Sequence, residues 1–163
     1  MPARGVLYVH SCPPVLCPHV EWAVAGVLGV PVELAWTPQP AAPGELRGEA
    51  GWRGRAGTAG RIAAALRGWT LLRFEITEEP SEGGDGERYA VTPDLGVYRS
   101  AMSASGDVLV HEERLRSLLG IGGTAVDLVA GLHRLLGRPW DDELEVFRHA
   151  GAGSPVRWLT QAG

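Results

Sequence analysis

The sequence contains 163 residues, of which 45% are hydrophobic, so the chain can bury about two-thirds of its unfolded surface around one core. Its 19 acidic residues outnumber its 15 basic residues, all of them arginine, and the net charge of −4 argues against a nucleic-acid-binding surface. No apolar run approaches the roughly 20 residues of a membrane span, and two cysteines are too few for a disulfide scaffold. Because the amino terminus carries no secretion signal, the protein is predicted to be cytoplasmic, with no nucleic-acid partner and no membrane span.

The beginning of the chain predicts a strand, a helix and a second strand. Val6 to Val9 form an unbroken apolar run, as in a strand that is buried on both faces. Pro18 suits the first turn of a helix, and Gly29 suits its left-handed C-cap. Apolar and polar residues then alternate over residues 30–36, which predicts a half-buried strand.

The next segment repeats a strand, a helix and a strand. Leu46 to Trp52 predicts a short strand, and Gly57 to Leu66 predicts a helix. Residues 72–77 alternate, which predicts a strand with one solvent-exposed face. The order to this point, βαββαβ, is that of ferredoxin-like units, in which an antiparallel sheet carries both helices on one face.

The remaining strands are predicted to extend this sheet as a β-meander. Arg88 to Thr92 follows a polar glycine turn, and a hairpin joins Gly96 to Met102 with Val108 to His111.

The C-terminal third is predicted to be helical. Helices are expected at Glu113 to Leu119, at Thr124 to Leu136, and from Asp141 or Asp142 to His149. The middle helix has one apolar face, which we expect to pack across the sheet and which consists of Val126, Val129, Leu132 and Leu136.

These elements together predict one α+β domain over residues 1–163, built on a mainly antiparallel sheet. Its parts are a ferredoxin-like βαββαβ half (1–77), a β-meander (78–111), helices (112–150) and a tail (151–163). An exposed edge of such a sheet would allow a homodimer to form.

Three stretches of the chain resemble a known family. They read RGVLYVHS at residues 4–11, LCPHVEWAVAGVLG at 16–29 and TPDLGVYRSAM at 92–102. The family is an actinobacterial family of uncharacterised proteins, domain of unknown function 3145, and the similarity extends over essentially the whole chain. The resemblance implies a small cytoplasmic protein with no assigned activity or catalytic residue. Genes of such proteins often lie beside fatty-acid synthesis genes, which implies a link with lipid metabolism.

Four side chains around the first strand and helix could bind a metal: His10, Cys12, Cys17 and His19. By strand alternation His10 and Cys12 point to the same face, while Cys17 and His19 lie at the start of the helix. Their spacing matches neither a CxxC pair nor a zinc finger, so we predict no metal and no cofactor. A disulfide between the two cysteines is sterically feasible but disfavoured in a reducing cytoplasm.

Cys17 has two interpretations. The dipole at the start of a helix stabilises a thiolate, so Cys17 would be a nucleophile or a redox sensor. Alternatively, Cys17 is an ordinary buried cysteine between strand and helix. The second interpretation is favoured because no base or orienting partner can be identified from the sequence.

The glycine- and arginine-rich residues 45–61 are the best candidate for a small-molecule site. They lead into a helix, where unpaired N–H groups and arginines would bind a phosphate or a carboxylate. The alternative is a hydrated loop whose arginines pair with Glu45 and Glu49. The candidate anion-binding residues are Arg53, Arg55, Gly57, Thr58 and Arg61.

Trp52 lies among these arginines and is expected to be exposed, where it would mark a contact surface. With the resemblance, these features favour a non-enzymatic binding or regulatory protein linked to lipid metabolism, whose partner is a protein or an anionic small molecule. The alternative is a small enzyme that acts on an anionic or thioester-linked substrate through the arginine loop and Cys17. A concave pocket in which polar groups converge would distinguish the two.

Overall fold

The computed structural model describes residues 2–150, which form seven strands and five α-helices. In chain order they are β1 (Pro2–Cys12), α1 (Cys17–Leu28), β2 (Thr37–Pro38), β3 (Leu46–Arg55), α2 (Thr58–Leu66), β4 (Arg73–Glu78), β5 (Gly86–Thr92), β6 (Gly96–Met102), β7 (Val108–Leu109), α3 (Glu112–Ile121), α4 (Ala125–Leu135) and α5 (Arg138–His149). A short 3-10 helix, Pro14–Leu16, joins β1 to α1.

All seven strands form one antiparallel sheet in the order β2-β3-β1-β4-β5-β6-β7. The first four strands have the ferredoxin-like order, because β1 lies between β3 and β4. Strands β5 to β7 extend the β4 edge as a meander. The predicted α+β class, the βαββαβ order of the elements along the chain and the helical C-terminal third are therefore confirmed.

The main apolar core lies between one face of the sheet and helices α1 and α2. Leu7 and Val9 of β1 and Phe74 and Ile76 of β4 are at most 1% exposed and belong to this core. Val20 of α1 is also fully buried in it. Helix α5 covers part of the opposite face, where Trp140 and Leu144 pack on Ala90 and Tyr98.

The predicted strand over residues 30–36 is wrong. Its residues are irregular up to β2, which contains two residues. The reason is Glu21 of α1, whose carboxylate Oε1 accepts hydrogen bonds from the Leu34 backbone N–H at 2.8 Å and from Trp36 Nε1 at 2.9 Å. These contacts hold the segment against α1, and Leu34 remains buried without a strand partner.

The predicted solvent-exposed face of β4 is also wrong. Glu75 and Thr77 point to that face but are 1% and 6% exposed, because α5 and the neighbouring strands surround them. Conversely, the apolar face of α4 was expected to pack across the sheet, and α5 packs there instead.

The Glu75 carboxylate lies at the centre of an ion-pair cluster beneath α5. It accepts hydrogen bonds from His10 Nε2 at 2.6 Å, from Arg88 Nη2 at 2.7 Å and from Arg148 Nε at 3.0 Å. Asp141 of α5 contacts both arginines. A buried charge is tolerated when it is paired and hydrogen-bonded in this way, so the cluster ties α5 to three strands of the sheet.

Gln39 connects the same helix to the loop after β2. Its side chain is 2% exposed, and Nε2 donates to the His10 carbonyl at 2.7 Å and to the Phe147 carbonyl at 3.3 Å. Its Oε1 accepts from the Ala41 backbone N–H at 3.0 Å. These three side-chain hydrogen bonds are all to backbone groups, which fixes the end of α5 relative to β1.

The environment of Glu75 favours its ionised form. Burial by itself would raise the pKa of Glu75, but the hydrogen bond and charge of His10, together with Arg148 and Arg88, hold that pKa well below its ordinary value. The carboxylate is therefore charged at neutral pH.

Glu75→Gln is expected to destabilise the fold by about 3 kcal/mol, because it removes the buried negative charge and leaves the two arginines with only the more exposed carboxylates of Asp141 and Glu145. Urea unfolding at pH 7 measures the loss. The matched control is Glu79→Gln, since the Arg4–Glu79 pair is 62% and 44% exposed and should contribute at most about 1 kcal/mol.

The pH dependence provides a second check on the same variant. The pKa of Glu75 is lower in the folded than in the unfolded chain, so its contribution is complete above the unfolded value of about 4.3 and is lost as the pH falls towards the folded value. The stability difference between the wild type and Glu75→Gln should shrink on acidification. A constant difference between about pH 7 and about pH 3 would contradict the assigned role.

Candidate functional site

Helices α3 and α4 form a helical hairpin, residues 112–136, that lies almost wholly in solvent. None of these residues is buried. The two helices pack on each other, and α4 also contacts the start of α5. A helix of 10 or 11 residues is marginal in water without a packing partner, so such a hairpin is incomplete as a folded unit.

The exposed side of the hairpin is apolar. The four residues of the α4 stripe, which the sequence predicted to be buried, are 37% to 77% exposed: Val126, Val129, Leu132 and Leu136. At the tip, Leu119 and Ile121 are 69% and 80% exposed. We call these six residues the hairpin surface. Contiguous exposed apolar surface of this kind usually marks an interaction site.

The hairpin is locally well formed. The Thr124 hydroxyl accepts from the Asp127 backbone N–H at 3.2 Å, and Asp127 Oδ2 accepts from the Thr124 backbone N–H at 2.8 Å, which makes a capping box. The two helices approach closely at Gly131, where a Cβ would lie 2.3 Å from Leu118 Cδ1. The exposure of the apolar stripe is therefore not a consequence of poor helix formation.

The base of the hairpin is fixed to the sheet. Tyr98 donates its hydroxyl to the Leu135 carbonyl at 2.9 Å, and Trp140 Nε1 donates to the Gly96 carbonyl at 3.0 Å. The Arg134 guanidinium lies over the Trp140 ring, 5.0 Å from its centroid. These contacts hold the hairpin surface away from the sheet.

The candidate metal ligands do not converge. A β-bulge in β1 falls between Val9 and Cys12, so strand alternation breaks there. His10 consequently points to Glu75 on the α5 face, whereas Cys12 points into the core beside α1. His19 is exposed and lies near the Trp69 ring. Within residues 2–150, no group of three or more His, Cys, Asp or Glu residues is placed to hold a metal ion.

The two cysteines contact each other as free thiols. Their Sγ atoms are 3.5 Å apart, and both also contact the Pro13 carbonyl. Burial is the main reason why the pKa of Cys17 lies above its ordinary value, although the hydrogen bond with Cys12 lowers it. Burial likewise raises the pKa of Cys12. This environment favours the interpretation of Cys17 as a buried structural cysteine.

Within the arginine- and glycine-rich residues 45–61, the start of α2 is occupied by the protein's own carboxylate. Glu78 of β4 accepts hydrogen bonds from the backbone N–H groups of Gly57 at 2.8 Å and Ala59 at 3.0 Å. The start of α2 therefore already binds an anion, and sequence analysis missed it because Glu78 is about 20 residues away in sequence. Arg53 is exposed on β3.

Three of the predicted anion-binding residues line one open groove. Arg55, Thr58 and Arg61 line it together with Gly54 and with the end of α1, Val27–Leu28. Its volume is about 190 Å³, and Arg61 Nη2 donates to the Thr58 hydroxyl at 2.7 Å. The groove combines two guanidinium groups with an apolar wall.

Trp52 is not the exposed tryptophan. Its side chain is 4% exposed and packs in the core under α1 and α2, because β3 turns that side chain to the helical face of the sheet. Trp22 of α1, at 75% exposed, is in solvent instead. The prediction of a contact surface at Trp52 is therefore wrong.

The comparisons with known proteins agree with the whole-chain resemblance. The family model described as a protein of unknown function, DUF3145, matches residues 6–161. The chain belongs to this family. No curated protein and no solved structure matched the chain. Membership therefore assigns no activity, and functional inference depends on the hairpin surface and the groove.

The helices of residues 2–150 are all too short or too polar to cross a membrane.

Cys17 is expected to react slowly with iodoacetamide near neutral pH, at least about tenfold more slowly in the native protein than in urea, since burial disfavours its thiolate. Peptide mass spectrometry of quenched samples gives the rate. Val15→Cys, in the 3-10 helix just before α1, provides a control thiol, because Val15 is 75% exposed. If Cys17 reacted as fast as that control, the reactive-thiol interpretation would be restored.

Proposed function

We propose that this chain is a non-enzymatic, cytoplasmic binding protein with a regulatory role, and that its hairpin surface contacts another folded polypeptide. The observation that carries the proposal is the apolar stripe of α4, which has the spacing of a buried face but lies in solvent. Interfaces between proteins are built around such apolar centres.

The surroundings of the buried Glu75 carboxylate and of the two buried thiols also support a binding role. A general acid or base must reach a substrate, whereas Glu75 is 1% exposed and is already bonded to His10 and two arginines. Cys12 and Cys17 are buried against each other. These groups are better explained by the packing of α5 and α1 than by chemistry on a substrate.

The metabolic setting that we propose is lipid metabolism. It rests on the family resemblance and on no contact in the structure. In this setting the protein would act by contact with another protein.

A photo-crosslinking amino acid in place of Val129 is expected to give one discrete polypeptide adduct when irradiated in the producing cell, because this position lies in the centre of the proposed contact. Mass spectrometry of the adduct identifies its partner. Adding Leu132→Asp should reduce the yield by about tenfold, because a charge at the interface is desolvated without a counter-charge.

The control places the same crosslinker at Leu71, which is 59% exposed but lies in the turn before β4. Equal adduct patterns from positions 129 and 71, or no adduct at position 129, would contradict the proposed function.

A second candidate function is the binding of an anionic small molecule in the groove of Arg55 and Arg61. The specific observation in its favour is the combination of these arginines with Val27 and Leu28. A catalytic partnership with Cys17 is not favoured, because Cys17 begins α1 and the groove lies at its other end, about 16 Å away along the axis.

If the groove binds such a ligand, Arg55→Gln with Arg61→Gln should weaken binding of coenzyme A or inorganic phosphate by at least about tenfold, since each charged hydrogen bond contributes about 1.5–3 kcal/mol. Isothermal titration calorimetry measures the affinity. Arg67→Gln, an exposed change outside the groove, is the control. Unchanged affinity in the double variant, or no binding by the wild type, would remove this candidate.

A further inference from the structure

We infer that the partner of the hairpin surface is a second copy of this chain, and that two hairpins pair across a two-fold axis to form a four-helix layer. The inference rests on the proposed function, because it names the occupant of the same surface. A contact of this kind is isologous, so each copy must present a surface that fits itself. Three properties of the hairpin meet this requirement.

The first property is the absence of charge on the stripe. Val126, Val129, Leu132 and Leu136 carry no ionisable group, and Arg134 is directed away to the Trp140 ring. Over residues 112–136, three acidic residues balance three arginines, although the whole chain has a net charge of −4. Like surfaces can therefore meet without net repulsion. A basic partner or an anionic membrane, which would need a charged surface, is not favoured.

The second property is the symmetry of the α4 sequence. Ala125 lies next to Val126 of the stripe. Together with Val129, Leu132 and the C-cap residue Leu136 it forms a set that is spaced by 4, 3 and 4 residues, which reads the same in both directions. In an antiparallel pair of α4 helices, Val129 then lies opposite Leu132 of the second copy. Ala125 likewise lies opposite Leu136, so a small side chain faces a large one. This alternation of 4 and 3 is the spacing of helices that pack side by side.

The third property is the length of the two helices. Helices α3 and α4 contain 10 and 11 residues, which is too short for a helix to be stable without packing. Two antiparallel helices from each copy would form the four-helix arrangement that buries all their apolar stripes at once.

Sheet-edge pairing, the route to a homodimer that the sequence suggested, is the competing arrangement. In the described residues β2 pairs with β3 at Leu46 and Arg47, so residues 48–55 of β3 form an open edge. This edge carries Glu49, Arg53 and Arg55 and three glycines, which disfavour pairing between edges. The hairpin surface is therefore the better candidate.

Sedimentation velocity on the purified full-length chain tests the inference. The wild type should form a dimer whose fraction rises with concentration, and Val129→Asp should weaken the dimer by roughly tenfold or more. Leu71→Asp, an exposed apolar residue outside the hairpin, should leave the dimer unchanged. Circular dichroism of each variant verifies that the fold is retained, as expected for a residue that is 51% exposed.

Cysteine crosslinking tests the register without depending on dimer stability. An oxidised mixture of Val129→Cys and Leu132→Cys proteins should give a disulfide-linked dimer, whereas Val129→Cys alone should give about tenfold less. The native thiols are buried and serve as the common background. Equal crosslinking in both samples would contradict the antiparallel register and with it the inference.

Two other results would overturn the inference. A wild type that stays monomeric at all concentrations excludes self-association, while a heterologous adduct from position 129 would still support the proposed function. A dimer that survives Val129→Asp but dissociates with Ala50→Pro in β3 would place the contact at the sheet edge. If position 129 also gave no adduct, the proposed function would fail as well.

Discussion

The buried Glu75 carboxylate is the interaction on which the rest of this structure depends. A charge at the centre of a sheet must be matched, and here His10, Arg88 and Arg148 match it from β1, β5 and α5. Because Arg148 belongs to α5, the pairing brings that helix onto the sheet. The α3–α4 hairpin precedes α5 in the chain, so its position is set by the same cluster. Ion pairing in the centre thus determines which apolar surface remains exposed.

Two amphipathic elements, β4 and α4, are oriented opposite to the usual arrangement of apolar face inward and polar face outward. In β4 the polar face is buried, since Glu75 meets counter-charges and Thr77 lies under neighbouring elements. In α4 the apolar face is exposed, since α5 already occupies the sheet surface that it would cover. The hydrophobic periodicity of the sequence indicates which residues share a face. Which neighbouring element covers that face is decided by tertiary packing. This is why both faces were misassigned, and why the α4 stripe is the most informative feature for function.

Two carboxylates and one β-bulge explain the other differences between the predicted and the observed structure. Glu21 takes two donors of the segment before β2, which therefore does not extend as a strand. Glu78 takes two N–H groups at the start of α2, where a free anion had been expected. The bulge in β1 separates His10 from Cys12. The two carboxylates bind groups that are far from them in sequence, and the bulge depends on one inserted residue. None of these features leaves a repeating pattern in the sequence.

The sequence by itself determined the order of the elements, because strand and helix periods and turn residues are local properties. The ferredoxin-like βαββαβ order of the elements was predicted in this way, and Gly29 does end α1 in the left-handed conformation that was expected. Tertiary structure alone decided that Trp52 is buried, that Glu75 is paired and that the α4 stripe faces solvent. The pairing of Glu75 and the exposure of the α4 stripe depend on which of α4 and α5 reaches the sheet, whereas Trp52 is buried because β3 turns its side chain towards α1 and α2. That competition is settled by the fit of charges and side chains between distant segments, which no local pattern contains.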